Sequence, residues 1–262
     1  MTRNEQLQVE AADGIYTVRI HRPAQRNVLS IALMKALTDA ALRLQDAGDC
    51  RAVILAASGP NFSAGVDLKD PHRWDLAKAS LAERRAFPKV GERMCQAWED
   101  IPAMSVSAIE GHCIGGAAAL VICTDFRVLG ATAYLRFPEV SIGLPLSWGA
   151  LPRLVRMLGP VKAKRAIVLC EKLAGAHAVE FGIADVVAPE GQAYAEAQVL
   201  ARRIAALPEV AVKMSKEAIN VTSNALNRLA SFMAHDQVAF AAHAPEAVAA
   251  RKRFAGRRKP RR

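Results

Sequence analysis

The sequence predicts an α/β protein with a strand-rich front and a helical back, and three observations carry that prediction. Residues 51–57 (RAVILAA) form a continuous apolar run that stops at Ser58-Gly59-Pro60, the pattern of a strand buried on both faces. Up to about residue 147, short apolar runs of this kind alternate with helical patterns. From Glu209 to Phe254 no strand signal occurs, only an Ala- and Leu-rich helical one punctuated by Pro245.

The elements follow in order. Leu7–Glu10 and Ile15–His21 read as two strands joined by a turn at Asp13-Gly14. Residues 22–27 (RPAQRN) are a loop, after which Ser30 caps a helix from Ile31 to about Asp46. The buried strand of residues 51–57 comes next, then a mixed polar region from Pro71 to Val90. A helix through Met94 and Trp98 must stop before Pro102, because proline disfavours helical geometry in the residue before it. Ala103–Ile109 is a strand, Gly115-Gly116 opens a helix through Ala117–Cys123, and Asp125–Leu129 is a strand again. From about Ser147 the chain reads as almost entirely helical, with breaks near Gly159-Pro160, Gly175, Gly182 and Pro208. No repeat of 20–50 residues is present.

Composition bounds the function. With 262 residues, 52% of them hydrophobic, the chain can bury a large core. The longest uncharged apolar stretch, Gly111–Thr124, contains three glycines and a histidine. It is shorter than the roughly 20 residues a membrane span needs, so a soluble protein is expected. The polar start MTRNEQLQVE carries no signal-peptide pattern. Five scattered cysteines (Cys50, Cys95, Cys113, Cys123, Cys170) without a CxxC pair argue against a disulfide framework or a zinc ribbon and for a reducing, cytoplasmic setting. The net charge of +10 is local: the last twelve residues hold eight of the 35 Lys and Arg and no acid, leaving 27 basic against 25 acidic groups elsewhere. That distribution describes a solvated basic tail rather than a nucleic-acid surface. The six histidines show no HxH or HExxH spacing, so no metal site is expected. GxxxxGK[ST], GxGxxG after a strand and GxSxG are all absent.

Chemistry is expected at two glycine-containing loops, each following a buried strand: residues 61–68 (NFSAGVDL) and residues 111–117 (GHCIGGA). Small residues leave backbone N–H groups uncovered, and at a helix start those groups have no intrahelical partner. Two such loops side by side would supply the pair of donors that an oxyanion hole requires, although glycine turns of this kind also serve packing.

The strings FSAGVDL, IEGHCIGGAAALVICTDFRV and FPEVSIGLPLSWGALPRLVRMLG resemble the crotonase (enoyl-CoA hydratase/isomerase) superfamily in residue type, order and spacing. HRPAQRNVLS near the start and FAGR near the end match as well, so the resemblance spans the chain. It implies a crotonase-like ββα spiral over residues 1–200 and a helical C-terminal oligomerisation region with a basic tail over 201–262. The implied assembly is a homotrimer or a dimer of trimers. The implied activity is acyl-CoA enolate chemistry of fatty-acid metabolism, with coenzyme A entering only as part of the thioester substrate and no separate cofactor. By resemblance the oxyanion donors are the amides of Val66 and Gly116. Asp67, Leu68 and Lys69 fall on the CoA-adenine side, and Arg26 falls where the family contacts CoA phosphates or adenine. For Asp67, local turn capping is an equal alternative.

One departure matters. Hydratases of this family carry two glutamates; here the second is Glu139, and the position of the first is Ala119. Water addition commonly shares its proton traffic between two carboxylates. Double-bond migration needs only one, which takes a proton from C2 and returns it at C4. The resemblance therefore implies isomerisation or weak hydration, or alternatively a non-catalytic acyl-CoA-binding protein of the same fold. A dienoyl-CoA isomerase would have aspartate at position 147, which is serine. Glu110 and Asp125 are expected to be structural, and Trp148 to border the acyl pocket. A glutamate restored at position 119 is expected to return hydration if the pocket has room for it.

Overall fold

The structure, a computed structural model, describes residues 5–70, 80, 89–225 and 234–256. Most of the expected polar region between Pro71 and Val90, and the basic tail from residue 257, lie outside the described residues. The chain opens with β1 (Leu7–Ala12) and β2 (Ile15–Ile20), an antiparallel pair whose connecting residues Asp13 and Gly14 both have left-handed backbone (φ 53° and 73°). That geometry is the two-residue turn whose twist matches a hairpin. Next come α1 (Ile31–Gln45), β3 (Ala52–Ala57), α2 (Lys89–Glu99), β4 (Met104–Ile109), β5 (His112–Ile114), α3 (Gly116–Val121), β6 (Phe126–Gly130) and β7 (Tyr134–Arg136). The remainder is α4 (Ala150–Val168), β8 (Leu173–Ala174), α5 (Gly175–Phe181), β9 (Val186–Ala188), α6 (Ala193–Ala205), α7 (Glu209–Asn224), α8 (Ala234–Ala241) and α9 (Pro245–Gly256).

The strands form two sheets. The larger runs β1-β2-β3-β4-β6-β9, parallel throughout except for the β1–β2 hairpin. The smaller, β5-β7-β8, holds β5 and β7 parallel and β8 antiparallel at its edge. Because side chains alternate along a strand, β3 feeds two cores at once. Val53 and Leu55 enter the main core with Trp98, Leu33 and Leu120, whereas Ala52, Ile54 and Ala56 face a second one. There Ala193, Ala197 and Ala201, spaced four apart on α6, let that helix lie close on the sheet. Burial on both faces is why residues 52–57 read as unbroken apolar sequence. Each large aliphatic side chain buried this way contributes about 2 kcal/mol.

Ser30 caps α1 as expected, its Oγ accepting the Leu33 N–H at 3.2 Å, and Asp70 accepts the Ile31 N–H at 2.7 Å. The expectation of an almost wholly helical chain after Ser147 needs correction: β8 and β9 lie there, and β9 completes the large sheet beside β6. β7 has no counterpart among the expected strands, and neither has β5, which lies inside the expected loop of residues 111–117. Strands of two or three residues are too short to show a period of two. The break at Gly159-Pro160 is present, with Gly159 at φ 72°, ψ 164° inside α4. The helix α6 runs through residue 200, and α7 follows it with Lys216 as its buried side chain.

Candidate active site

The glycine loops meet because strands and bridges run side by side beneath them. The Ser63 N–H donates to the His112 carbonyl at 2.9 Å and the Ile114 N–H to the Ser63 carbonyl at 3.1 Å, so the first loop lies along β5. The β5–β7 pairing is parallel, so both strands end at one edge, and the Gly115 N–H donates to the Arg136 carbonyl at 2.9 Å. Gly115-Gly116 leaves β5, and Phe137-Pro138-Glu139 leaves β7, at this edge. Sequence positions some twenty residues apart are thereby brought together.

Each loop offers an amide to the cavity side. Leu29 bridges Val66 on its outer side, donating to the Gly65 carbonyl (2.8 Å) and accepting from the Asp67 N–H (2.9 Å). The Val66 N–H between them points away from Leu29. In α3 the first intrahelical donor is Ala119, bonded to the Gly115 carbonyl at 2.9 Å, so the Gly116 N–H has no partner within the helix. Glycine is required at two of these positions. At Gly65 (φ 85°) a methyl group would lie 2.6 Å from the Ile114 carbonyl oxygen, and it would stand 3.7 Å from the Gly116 nitrogen. At Gly115 (φ 57°, ψ −121°) it would lie 3.1 Å from Glu139 Oε1.

These groups line one cavity of about 360 Å³. Val66, Gly116 and Glu139 are in its wall, with Ala119, Trp148, Asp67 and Leu68. Ile31, Met34, Ile142 and Leu146 supply apolar surface. Arg26 and Lys69 are exposed and stand outside this wall; Arg26 lies by His112, where its charge and burial lower the imidazole's proton affinity. Asp67 spends one oxygen on the Lys69 N–H (3.0 Å) and the other on Arg22 (3.6 Å), which is the turn-capping role. Asp70 is engaged at the start of α1.

Glu139 differs from both aspartates. It stands at the head of a 3-10 turn (Val140–Ile142), and its Oε2 is buried without a hydrogen-bond partner. Burial away from water disfavours the carboxylate and pushes its pKa up to about 7, against a smaller lowering from its own backbone N–H. A carboxyl poised near neutrality beside uncovered amides suits proton transfer at carbon. Glu110 and Asp125 are structural: Glu110 accepts the Ala193 N–H at the start of α6 (2.9 Å), and Asp125 binds the buried Lys216 (2.6 Å).

The family model for enoyl-CoA hydratase/isomerase matches residues 10–261. The chain belongs to this family. It is 30% identical over 220 residues to an enoyl-CoA isomerase/hydratase of Mycosarcoma maydis, covering 80% of this chain and 78% of that protein. A crotonyl-CoA hydratase of Syntrophomonas wolfei is 27% identical, with 82% of each chain covered. The enoyl-CoA hydratase/isomerase fold is shared with an enoyl-CoA hydratase of Mycobacterium avium subsp. paratuberculosis (TM-score 0.85, 22% identity, 96% of this chain and 100% of that one). Pseudomonas aeruginosa OdaA aligns at TM-score 0.83 and 26% identity over 96% of this chain and 99% of that one. The crotonase-like architecture expected from the motifs is thus the observed one.

Trp148 was expected at the pocket's border and is found there, but its conformation was not foreseeable. Its backbone is left-handed (φ 59°), an outlier for a bulky residue, and Gly149 after it is left-handed too. Among the described residues no cluster of three or more His, Cys, Asp or Glu could hold a metal ion, and no helix is long and apolar enough to cross a membrane.

Proposed function

We propose that this enzyme binds an enoyl-CoA thioester with its carbonyl oxygen on the Val66 and Gly116 amides and uses Glu139 as its single acid/base. The observation that carries the reading is Glu139 itself. Among the described residues it is the one carboxylate of the cavity wall with a buried, unpartnered oxygen, and it sits against the glycine loop. The Glu139 carboxylate removes a proton from C2 of a 3-enoyl thioester. Negative charge moves onto the thioester oxygen, where the two fixed N–H groups stabilise it without reorganisation. The proton returns from Glu139 to C4, giving the 2-enoyl thioester. Ala119, buried in the same wall, offers no second carboxylate to activate water. Bond migration is therefore favoured over hydration.

Coenzyme A enters as part of the thioester, with no separate cofactor. Arg26 and Lys69, exposed beside the cavity mouth loops, are proposed to meet its phosphates or adenine, and Asp67 and Leu68 its adenine side. Assembly as a homotrimer or dimer of trimers is supported by apolar side chains left in the open on α4 and α7, among them Val161, Met214, Ile219 and Val221. A cytoplasmic setting within fatty-acid metabolism accords with five free, buried cysteines. The second reading, an acyl-CoA binder without turnover, draws on the same Ala119.

Incubation with 2-enoyl- and 3-enoyl-CoA of several chain lengths separates these readings. Migration of the double bond with little water addition is expected. Rapid hydration overturns the single-carboxylate mechanism, and tight thioester binding with neither reaction establishes the binder.

A further inference from the structure

Trp148 occupies the cavity in a way that needs two other positions to be glycine. Its six-membered ring is wedged between two glycines on different helices. A methyl group at Gly91 on α2 would lie 2.0 Å from Trp148 Cε2, and one at Gly116 on α3 would lie 2.5 Å from its Cζ3. No real side chain tolerates such approaches, so the ring packs directly against the backbone of both helices where the glycines leave room. The same Gly116 supplies the second proposed oxyanion donor, and the side chain one turn further along α3 in the cavity wall is only a methyl, Ala119.

The ring is held there rather than left to rotate. The left-handed Trp148 backbone is strained for so bulky a residue, and its surroundings must offset that strain. Arg153 helps do so: its Nη1 donates to the Trp148 carbonyl at 3.4 Å, while its Nε and Nη2 are fixed on Glu99 at 3.0 and 2.6 Å. Backbone strain and a buried ion pair both serve one aromatic side chain whose face is half-buried and turned to the cavity.

We propose that Trp148 is the specificity-determining residue of the acyl site. Resting on the enoyl-CoA reading of the preceding section, it places a flat wall beside Gly116, alongside the carbons next to the thioester carbonyl. That wall limits the acyl group to one that is short or planar near C3 and C4. It also covers the region into which a water for addition would have to enter beside Ala119.

The test compares wild type with Trp148→Ala and Trp148→Phe on 3-enoyl-CoA substrates from four to twelve carbons, with kcat and KM read separately and thioester binding measured by calorimetry. A misfit of one methylene in an apolar pocket is worth about tenfold or more. Trp148→Ala is therefore expected to raise kcat/KM for the longer chains about tenfold or more relative to the four-carbon one. Trp148→Phe, which keeps a six-membered ring, falls between. Should Trp148→Ala fail to fold, Gly91→Ala makes the same comparison by displacing the ring. Chain-length profiles that stay parallel in every folded variant overturn the proposal for Trp148 alone. Wild type that binds no enoyl-CoA overturns the functional reading beneath it.

Discussion

Two glutamates have carboxyl oxygens hidden from water, Glu99 beneath the Arg153 that holds the Trp148 carbonyl and Glu139 in the cavity, and the protein treats them in opposite ways. Burial alone would raise the proton affinity of both. At the junction of α2 and α4, Glu99 receives Arg153 on both oxygens and has Arg156 at 3.5 Å, and its pKa ends below the ordinary value despite its burial. In the cavity Glu139 has no cation paired with it among the described residues and one unpartnered oxygen, and its pKa rises to about 7. A buried carboxylate with its charge matched holds structure together. One with its charge unmatched near neutral pH is available for chemistry. The contrast fits a stabilising role for Glu99 and the turnover role proposed for Glu139.

The largest effect that can break this contrast is on rate. Glu139→Gln is expected to abolish isomerisation, by about a thousandfold or more, while CoA-thioester affinity stays within a few-fold. Steady-state kinetics and calorimetry on the one variant check both halves. Activity surviving in Glu139→Gln would move the proton carrier elsewhere.

Next comes stability at the other glutamate. Glu99→Ala leaves the Arg153 guanidinium buried without its carboxylate, a loss of about 3–5 kcal/mol by denaturant unfolding. Any of that variant that remains folded should show an altered acyl-chain profile, because Arg153 also holds the Trp148 carbonyl.

The third effect is smaller and has the opposite sign at the two sites. The folded pKa of Glu139 lies above its ordinary value of 4.5, so between pH 4.5 and about 7 the folded state holds more protons than the unfolded one. Stability therefore falls as pH rises through that window. Glu139→Gln, which cannot ionise, should be more stable than wild type at pH 8, by at most about 3 kcal/mol, and should show no such gain below pH 4.5. For Glu99, lowered in the fold, the wild-type contribution is present above its ordinary pKa and is lost on acidification. Melting temperatures across pH 2–8 for both variants give the two slopes, that of Glu99 below pH 4.5 and that of Glu139 above it.

Much of this was legible in the chain. The turn at Asp13-Gly14, the Ser30 cap, the doubly buried β3 and the two glycine loops all carry local chemistry that a sequence displays. Asp67 reads equally as a CoA contact and as a turn cap; its bonds to Lys69 and Arg22 show capping, and the CoA contact stays a proposal. The short strands β7, β8 and β9 were not legible, since their existence depends on neighbours distant in sequence. The apposition of Glu139 and Gly115 rests on β5–β7 pairing and came only through family resemblance. The Glu99–Arg153 pair, fifty-four residues apart, and the left-handed Trp148 gave no local signal.

The smallest effect concerns position 119. Trp148 lies on Gly116, one turn away, so Ala119→Glu alone is expected to gain little hydration of 2-enoyl-CoA. Ala119→Glu with Trp148→Ala should gain more, and the difference between them measures how far the indole blocks a second carboxylate. Equal hydration by the single and double variants would remove Trp148 from that role.

The most direct measurement is exchange of the C2 hydrogen of a 3-enoyl-CoA with solvent deuterium, followed by mass spectrometry across pH 5–9. It reads proton removal at C2 whenever the Glu139 carboxyl trades its proton with solvent, and bond migration followed in the same samples registers removal with direct return to C4. The account predicts exchange in wild type that rises through an apparent pKa near 7, the value of Glu139, and no exchange above background in Glu139→Gln. Exchange that persists in Glu139→Gln, or wild type that binds the thioester with neither exchange nor bond migration, would contradict the account.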